Sequence, residues 1–117
     1  MNTLPDLLEP GLDIVFVGIN PGRFSAKIGH YFSTPRNRFW PAINRSGLLD
    51  RPMSADDDHL ALRQGIGFTD VVKRPSSSAS DLRAADYRIG APALKAKLER
   101  FAPLIVCFHG VTGYRGY

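Results

Sequence analysis

The chain has 117 residues, of which 44% are hydrophobic and 22% charged, and its net charge is +4. These values are typical of one compact domain, residues 1–117, and exclude a disordered tail or a multidomain protein. The longest apolar run is far shorter than the about 20 residues that a membrane-spanning helix requires. No positively charged leader precedes it, so we expect a cytoplasmic protein. Cys107 is the only cysteine and the three histidines lie far apart, so we expect no disulfide and no bound metal.

One block of the chain, residues 23–45, carries only positive charges. This block holds five arginines or lysines, no carboxylate and five of the twelve aromatic residues. Interleaved cations and flat rings suit a nucleic acid, because cations neutralise phosphates while rings stack on an exposed base. The alternative is an ordinary solvated surface above a few core aromatics, and charge alone favours that alternative.

The first half of the chain predicts one strand and two helices. Residues 12–19 form a nearly continuous β-branched run that ends in Gly and Pro, which is typical of a buried parallel strand. Residues 38–46 predict a short helix with Pro41 in its first turn, and Gly47 ends it. Ser54 and Asp57 resemble a capping box that starts the next helix, so the acidic run there is predicted to be structural.

The second half continues the alternation of strands and helices. Residues 68–72 predict a second strand, and residues 74–80 predict a polar loop. A helix is expected to begin near Pro92, and residues 104–108 predict a third buried strand. The alternation predicts the α/β class with a parallel sheet.

The segment Gly18-Ile19-Asn20-Pro21-Gly22 follows the first strand and is the candidate site. Open α/β sheets place their ligands beyond the carboxyl ends of their strands. The segment lacks the Lys and Ser/Thr of a phosphate-binding P-loop. Taken alone, these five residues predict a tight turn and nothing more.

Four ordered motifs carry a family resemblance. The first block, GINPG at 18–22 with Ser-Ala at 25–26, is followed by GHYF at 29–32, NRFW at 37–40 and GIGFT at 65–69. Together they resemble the mismatch-specific uracil/thymine-DNA glycosylases of the uracil-DNA glycosylase superfamily, and the similarity extends over residues 10–109. The resemblance implies a three-layer α/β/α sandwich and an enzyme that excises uracil mispaired with guanine. In some members thymine or modified pyrimidines are also removed, and no metal or cofactor is used.

The resemblance also implies residue roles. Asn20 would hold the attacking water through its side-chain carbonyl, and Phe32 would stack on a base flipped out of double-stranded DNA. Asp70 departs from the family pattern, and as a carboxylate it would accept a proton from the water or stabilise the positive sugar. The other residues expected in the substrate pocket are Gly18, Ile19, Gly22, His30, Tyr31 and Asn37. The residues expected to contact DNA phosphates are Arg23, Lys27, Arg36 and Arg38.

Structural alternatives stand beside several of these roles. Asp70 could cap the strand end or pair with Lys73 or Arg74, and Asn37 could brace the turn rather than bind the base. Phe39 and Trp40 are expected in the core. The lone thiol of Cys107, within a strand, is expected to be a buried structural group. His109 is expected to be a local hydrogen-bonding residue.

The chain departs from the family pattern after the third strand. The family's sheet continues to a fourth strand and to a Pro-Ser-rich loop that ends in Arg and inserts into the duplex. Residues 75–79 have a similar composition but lie between a strand and a helix, so we do not assign the duplex-inserting role to them. We therefore expect a monomeric, C-terminally truncated product or fragment without the last strand and helix. Alternatives are a catalytically inactive remnant that binds DNA and an unrelated α/β nucleotide-binding domain.

Overall fold

The computed structural model describes residues 3–117, in which three strands form one parallel sheet. The strands are β1 (Ile14–Gly18), β2 (Ile66–Asp70) and β3 (Ile105–Phe108), in the order β2-β1-β3. Val15 of β1 lies in register with Gly67 on one side and Val106 on the other. The predicted parallel α/β sheet is confirmed.

Five helices connect and follow the strands in the described residues. They are α1 (Arg23–Ile28), α2 (Phe39–Ser46), α3 (Asp58–Leu62), α4 (Ala84–Phe101) and α5 (Val111–Gly116). Short 3-10 turns at Ala55–Asp57 and Ala79–Asp81 precede α3 and α4. None of these helices is long and apolar enough to cross a membrane.

Alternate side chains of β1 supply the cores on the two faces of the sheet. Phe16 packs in a cluster with Phe39 and Ile43 of α2. Val15 and Val17 pack on the opposite face with Leu94 of α4. Because successive side chains of a strand point to opposite faces, this pattern produces helix layers on both sides, as in an α/β/α sandwich.

Two predicted elements differ from the structure. Strand β2 begins and ends two residues earlier than predicted. The backbone N–H groups of Val71 and Val72 still donate to carbonyl oxygens of β1 and of the following turn, so the pairing continues beyond the strand. Helix α4 begins at Ala84 rather than near Pro92. The Asp86 carboxylate accepts the Arg83 backbone N–H at 2.7 Å and stabilises this earlier start. Pro92 lies on the exposed side of the helix, where the lost hydrogen bond faces solvent.

The two outer strands differ in how their edges are covered. The outer edge of β2 pairs with the N-terminal segment, where Leu7 and Phe68 exchange two backbone hydrogen bonds of 2.9 Å. Strand β3 has no outer partner among the described residues, and 57% of Ile105 is exposed. Cys107 on this strand is half-buried rather than fully buried, because no outer strand of the described chain covers it. The N-terminal pairing brings Asp6 beside the carboxyl end of β2.

Candidate active site

A cleft of about 250 Å³ opens at the carboxyl ends of β1 and β2. Its lining combines the turn after β1, the loop before α2 and the loop after β2, and includes Gly18, Asn20, Phe32, Asp70 and Ser76. This is the edge at which open α/β sheets place their ligands. A larger groove of about 470 Å³ lies beside it between α1 and α2 and shares Phe32 with it.

The amide of Asn20 is fixed in one orientation. Its Nδ2 donates to the backbone oxygen of Arg74 and to Oγ of Ser76, both at 2.8 Å. A backbone oxygen can only accept, so these contacts require the nitrogen to point at the loop. Oδ1 of Asn20 has no hydrogen-bond partner in the part of the chain that the structure describes. Since every fully buried side-chain polar atom of the described residues has one, Oδ1 is not buried and is open to the cleft that Asn20 lines.

The loop that holds Asn20 is itself held. Ser76 is buried and its hydroxyl donates to the backbone oxygen of Ser78 at 2.7 Å, which leaves its lone pairs for Asn20. Arg74 binds both carboxylate oxygens of Asp86 on α4, at 3.0 and 2.9 Å. The hydrogen bonds from Arg74 lower the pKa of Asp86 to about 2. This bidentate contact ties the Arg74 side chain to α4.

Asp70 ends β2 inside the cleft and is 4% exposed. Its Oδ2 lies 3.0 Å from Nζ of Lys73, so the predicted structural alternative, a pair with Lys73, is present. Its Oδ1 has no partner among the described residues. Burial raises the pKa of Asp70 more than the neighbouring ammonium of Lys73 lowers it. The residue therefore both pairs with Lys73 and presents one oxygen to the cleft.

Gly18 is required by this arrangement. A Cβ at this position would lie 2.6 Å from Oδ1 of Asp70 and 3.9 Å from the ring of Phe32. Asp70 is buried and held by Lys73, so it has little room to move away. The absence of a side chain at Gly18 therefore keeps Asp70 and the adjoining cleft in place.

Phe32 adopts a left-handed backbone conformation with φ of 53°. This conformation is strained for a bulky side chain and persists where surrounding contacts fix it. Both backbone polar groups of the preceding residue, Tyr31, form hydrogen bonds: its N–H donates to Asp58 and its carbonyl accepts from Trp40. One face of the Phe32 ring stacks on Phe39 at 4.4 Å.

Four of the other residues expected in the pocket line the cleft. Tyr31 and Asn37 line the cleft. Asn37 also accepts the Phe39 backbone N–H at 2.9 Å, so the bracing alternative is present too. Ile19 and Gly22 line the cleft as parts of the turn.

His30 is not brought into the cleft. Its Nδ1 lies 3.1 Å from Oδ1 of Asp58, and it lines a separate cavity with Pro5 and His59. The pocket role expected for His30 is therefore not what the structure shows, because Asp58 of the acidic run holds the side chain elsewhere. The structural role predicted for that acidic run is confirmed.

None of the four cations expected to contact phosphates lines the cleft itself. All four are exposed, and none forms an ion pair with another described residue: Arg23, Lys27, Arg36 and Arg38. Contact with phosphate stays a prediction.

Sequence reasoning missed three parts of the site. Ser76 and the Arg74 carbonyl lie in a loop whose composition predicts only solvated backbone. His109 lines the cleft and packs its ring 4.9 Å from that of Phe32. Its place directly after a parallel strand was the available signal.

Within residues 3–117 no cluster of three or more His, Cys, Asp or Glu side chains could hold a metal ion.

One comparison with known proteins bears on this cleft. The family model described as the uracil DNA glycosylase superfamily matches residues 5–117. The match covers nearly all of the chain and includes every residue that lines the cleft except Leu4.

Proposed function

Because the chain belongs to the uracil DNA glycosylase superfamily, we propose that it hydrolyses the N-glycosidic bond of uracil mispaired with guanine in double-stranded DNA. Members of the superfamily are DNA glycosylases, so base excision is the shared reaction. Choice of the G·U pair is the finer part of the proposal. Its support is the resemblance of the GINPG and NRFW motifs to the mismatch-specific enzymes.

The proposed reaction begins with base flipping. A base inside a duplex cannot reach a cleft, so the nucleotide must rotate outward, and a mispaired base costs least to extrude. The cleft of about 250 Å³ is smaller than the about 300–1,000 Å³ of sites for drug-sized ligands, which suits one base. The ring of Phe32 supplies a stacking surface there.

The observation that carries the proposal is the orientation of Asn20. Cleavage passes through an oxocarbenium-like sugar while negative charge flows onto the departing base. Two acceptors hold Nδ2 of Asn20, so Oδ1 can accept a hydrogen bond from water in the cleft. A neutral amide takes no proton at neutral pH, so Asn20 would act by positioning the nucleophile.

Asp70 is proposed to complete the reaction in one of two ways. Its carboxylate would accept a proton from the water or stabilise the positive sugar through its charge. Burial raises the pKa of Asp70, which makes it a stronger proton acceptor than an exposed aspartate. The exposed side chains of Arg23, Lys27, Arg36 and Arg38 would contact the phosphates of the duplex.

An excision assay tests the proposal. An end-labelled duplex with one G·U pair is incubated with the protein, and alkali then cleaves any abasic site. Parallel substrates carry A·U, G·T or single-stranded uracil. The expected result is fastest release from G·U, and Asn20→Ala slows it about a hundredfold, as expected when a reacting group loses its position.

Asn44→Ala is the matched control. Its amide also bonds backbone atoms, at Met53, but lies outside the cleft, so excision by this variant should persist. Duplex binding without product would support the inactive remnant instead. Equal excision rates for G·U and A·U would support the proposed glycosylase activity and contradict the proposed specificity for the mismatch.

A further inference from the structure

A charged network joins the cleft to the N-terminal segment and to α4. Nζ of Lys73 lies 3.0 Å from Oδ2 of Asp70 and 2.9 Å from Oδ1 of Asp6. The other oxygen of Asp6 lies 2.7 Å from Nζ of Lys97. Oδ1 of Asp6 also accepts the Thr69 hydroxyl at 2.6 Å. One lysine is therefore shared by two carboxylates, and only Asp70 lines the cleft.

The sharing has a direct electrostatic consequence. An ammonium within hydrogen-bond distance favours the ionised form of a carboxylate, whereas a second carboxylate nearby disfavours it. Lys73 acts on Asp70 in the first way and Asp6 in the second. Lys97 neutralises part of the charge on Asp6 and so weakens its competition for Lys73.

We propose that Asp6 is a positioning residue that sets the pH range in which Asp70 carries its charge, by sharing Lys73 with it. Asp6 lies outside the cleft lining, so it touches no reacting atom. An effect of Asp6 on the excision rate rests on the proposed function of Asp70. The electrostatic coupling between Asp6 and Asp70 does not.

The order in which the two carboxylates titrate supports this coupling. Burial raises the pKa of Asp70, and Asp6 adds to the rise against the opposing effects of Lys73 and Lys97. Burial also raises the pKa of Asp6, but Lys73, Lys97 and Thr69 outweigh it and hold that pKa below its usual range. Asp6 is therefore still charged at the pH where Asp70 takes up a proton.

Three other titratable groups face this network. Tyr31 accepts from Lys73 at 3.3 Å, and burial raises its pKa, so it stays neutral. Asp58 on α3 holds the backbone of Tyr31, and His109 lines the cleft from the end of β3. Any effect of Asp58 or His109 on the Asp70 carboxylate would be the same in variants at Asp6 and at Lys97, because both variants retain these two groups.

The test follows the Asp70 carboxyl carbon by NMR across pH, with its resonance assigned by its loss in Asp70→Asn. Asp6→Asn keeps the shape of the side chain and removes the competing charge. The midpoint of the Asp70 titration should then move to lower pH. Lys97→Gln leaves Asp6 to draw on Lys73 alone, so the midpoint should move to higher pH.

Opposite shifts are the expected result, and general loss of stability cannot produce them because it would act alike in both variants. No shift, or shifts in the same direction, would overturn the proposal. The acidic limb of the excision rate should follow each midpoint. If the midpoints move and the limb does not, the coupling stands and the catalytic role of Asp70 fails.

Discussion

Two buried carboxylates, in two regions of the molecule, have different surroundings. Asp58 and Asp70 are 3% and 4% exposed. Both oxygens of Asp58 are occupied, by the Tyr31 backbone N–H and the His30 ring. Asp70 contacts Lys73 through one oxygen and presents the other to the cleft. A fully paired buried charge serves the fold, whereas a half-paired one beside a cleft is available to a substrate.

The largest expected difference between these regions is catalytic. Asp70→Asn should lower single-turnover excision of G·U by about tenfold or more, the scale of general-base loss. Asp58→Asn can still accept the Tyr31 N–H, so its excision rate should stay near that of the original protein. Equal losses in the two variants would erase the distinction between the carboxylates.

A pair of glycines sharpens the comparison at the backbone. Gly18→Ala places a Cβ 2.6 Å from Oδ1 of Asp70, whereas a Cβ at Gly47, which lies outside the cleft, meets nothing within 4 Å. Excision should fall in Gly18→Ala, by less than in Asp70→Asn because the carboxylate is displaced and not removed. Gly47→Ala is the control: its φ of 82° makes an alanine there costly to stability, but the excision rate should be retained. The claim fails if the two alanine variants are equally active.

The smallest effect on excision, and a clear effect on stability, is expected at the other carboxylate. Asp58→Ala leaves the buried Tyr31 N–H without a partner, which should lower the free energy of unfolding by about 1–3 kcal/mol. Urea unfolding followed by tryptophan fluorescence measures this change. An unchanged midpoint would mean that Asp58 does not hold the loop before α2.

The sequence predicted the residues that strand order brings together. Asn20 and Asp70 each follow or end a buried parallel strand, and such ends meet at one edge of a sheet. The ring of Phe32 was placed in the pocket by its motif. The prediction that these residues lie at one edge of the sheet depends only on local patterns and on one rule of topology, so the sequence could support it. Their roles stay predictions.

The parts that were missed depend on long-range contacts. Ser76 lies in a Ser-rich loop, and its burial follows from hydrogen bonds to the turn after β1 and from the Arg74–Asp86 pair. Helices α1 and α5 have six residues each, too few for a periodic pattern to stand out. His30 was misplaced because its partner lies 28 positions along the chain.

The central claim is that the loop after β2 fixes the amide of Asn20 towards the cleft. A double-mutant cycle of Asn20→Ala and Ser76→Ala, measured by single-turnover excision of G·U, tests it directly. Ser76→Ala should slow excision when Asn20 is present and have no further effect when it is absent, a coupling of about 0.5–3 kcal/mol. Additive losses would contradict the claim, because Ser76 would then act without Asn20.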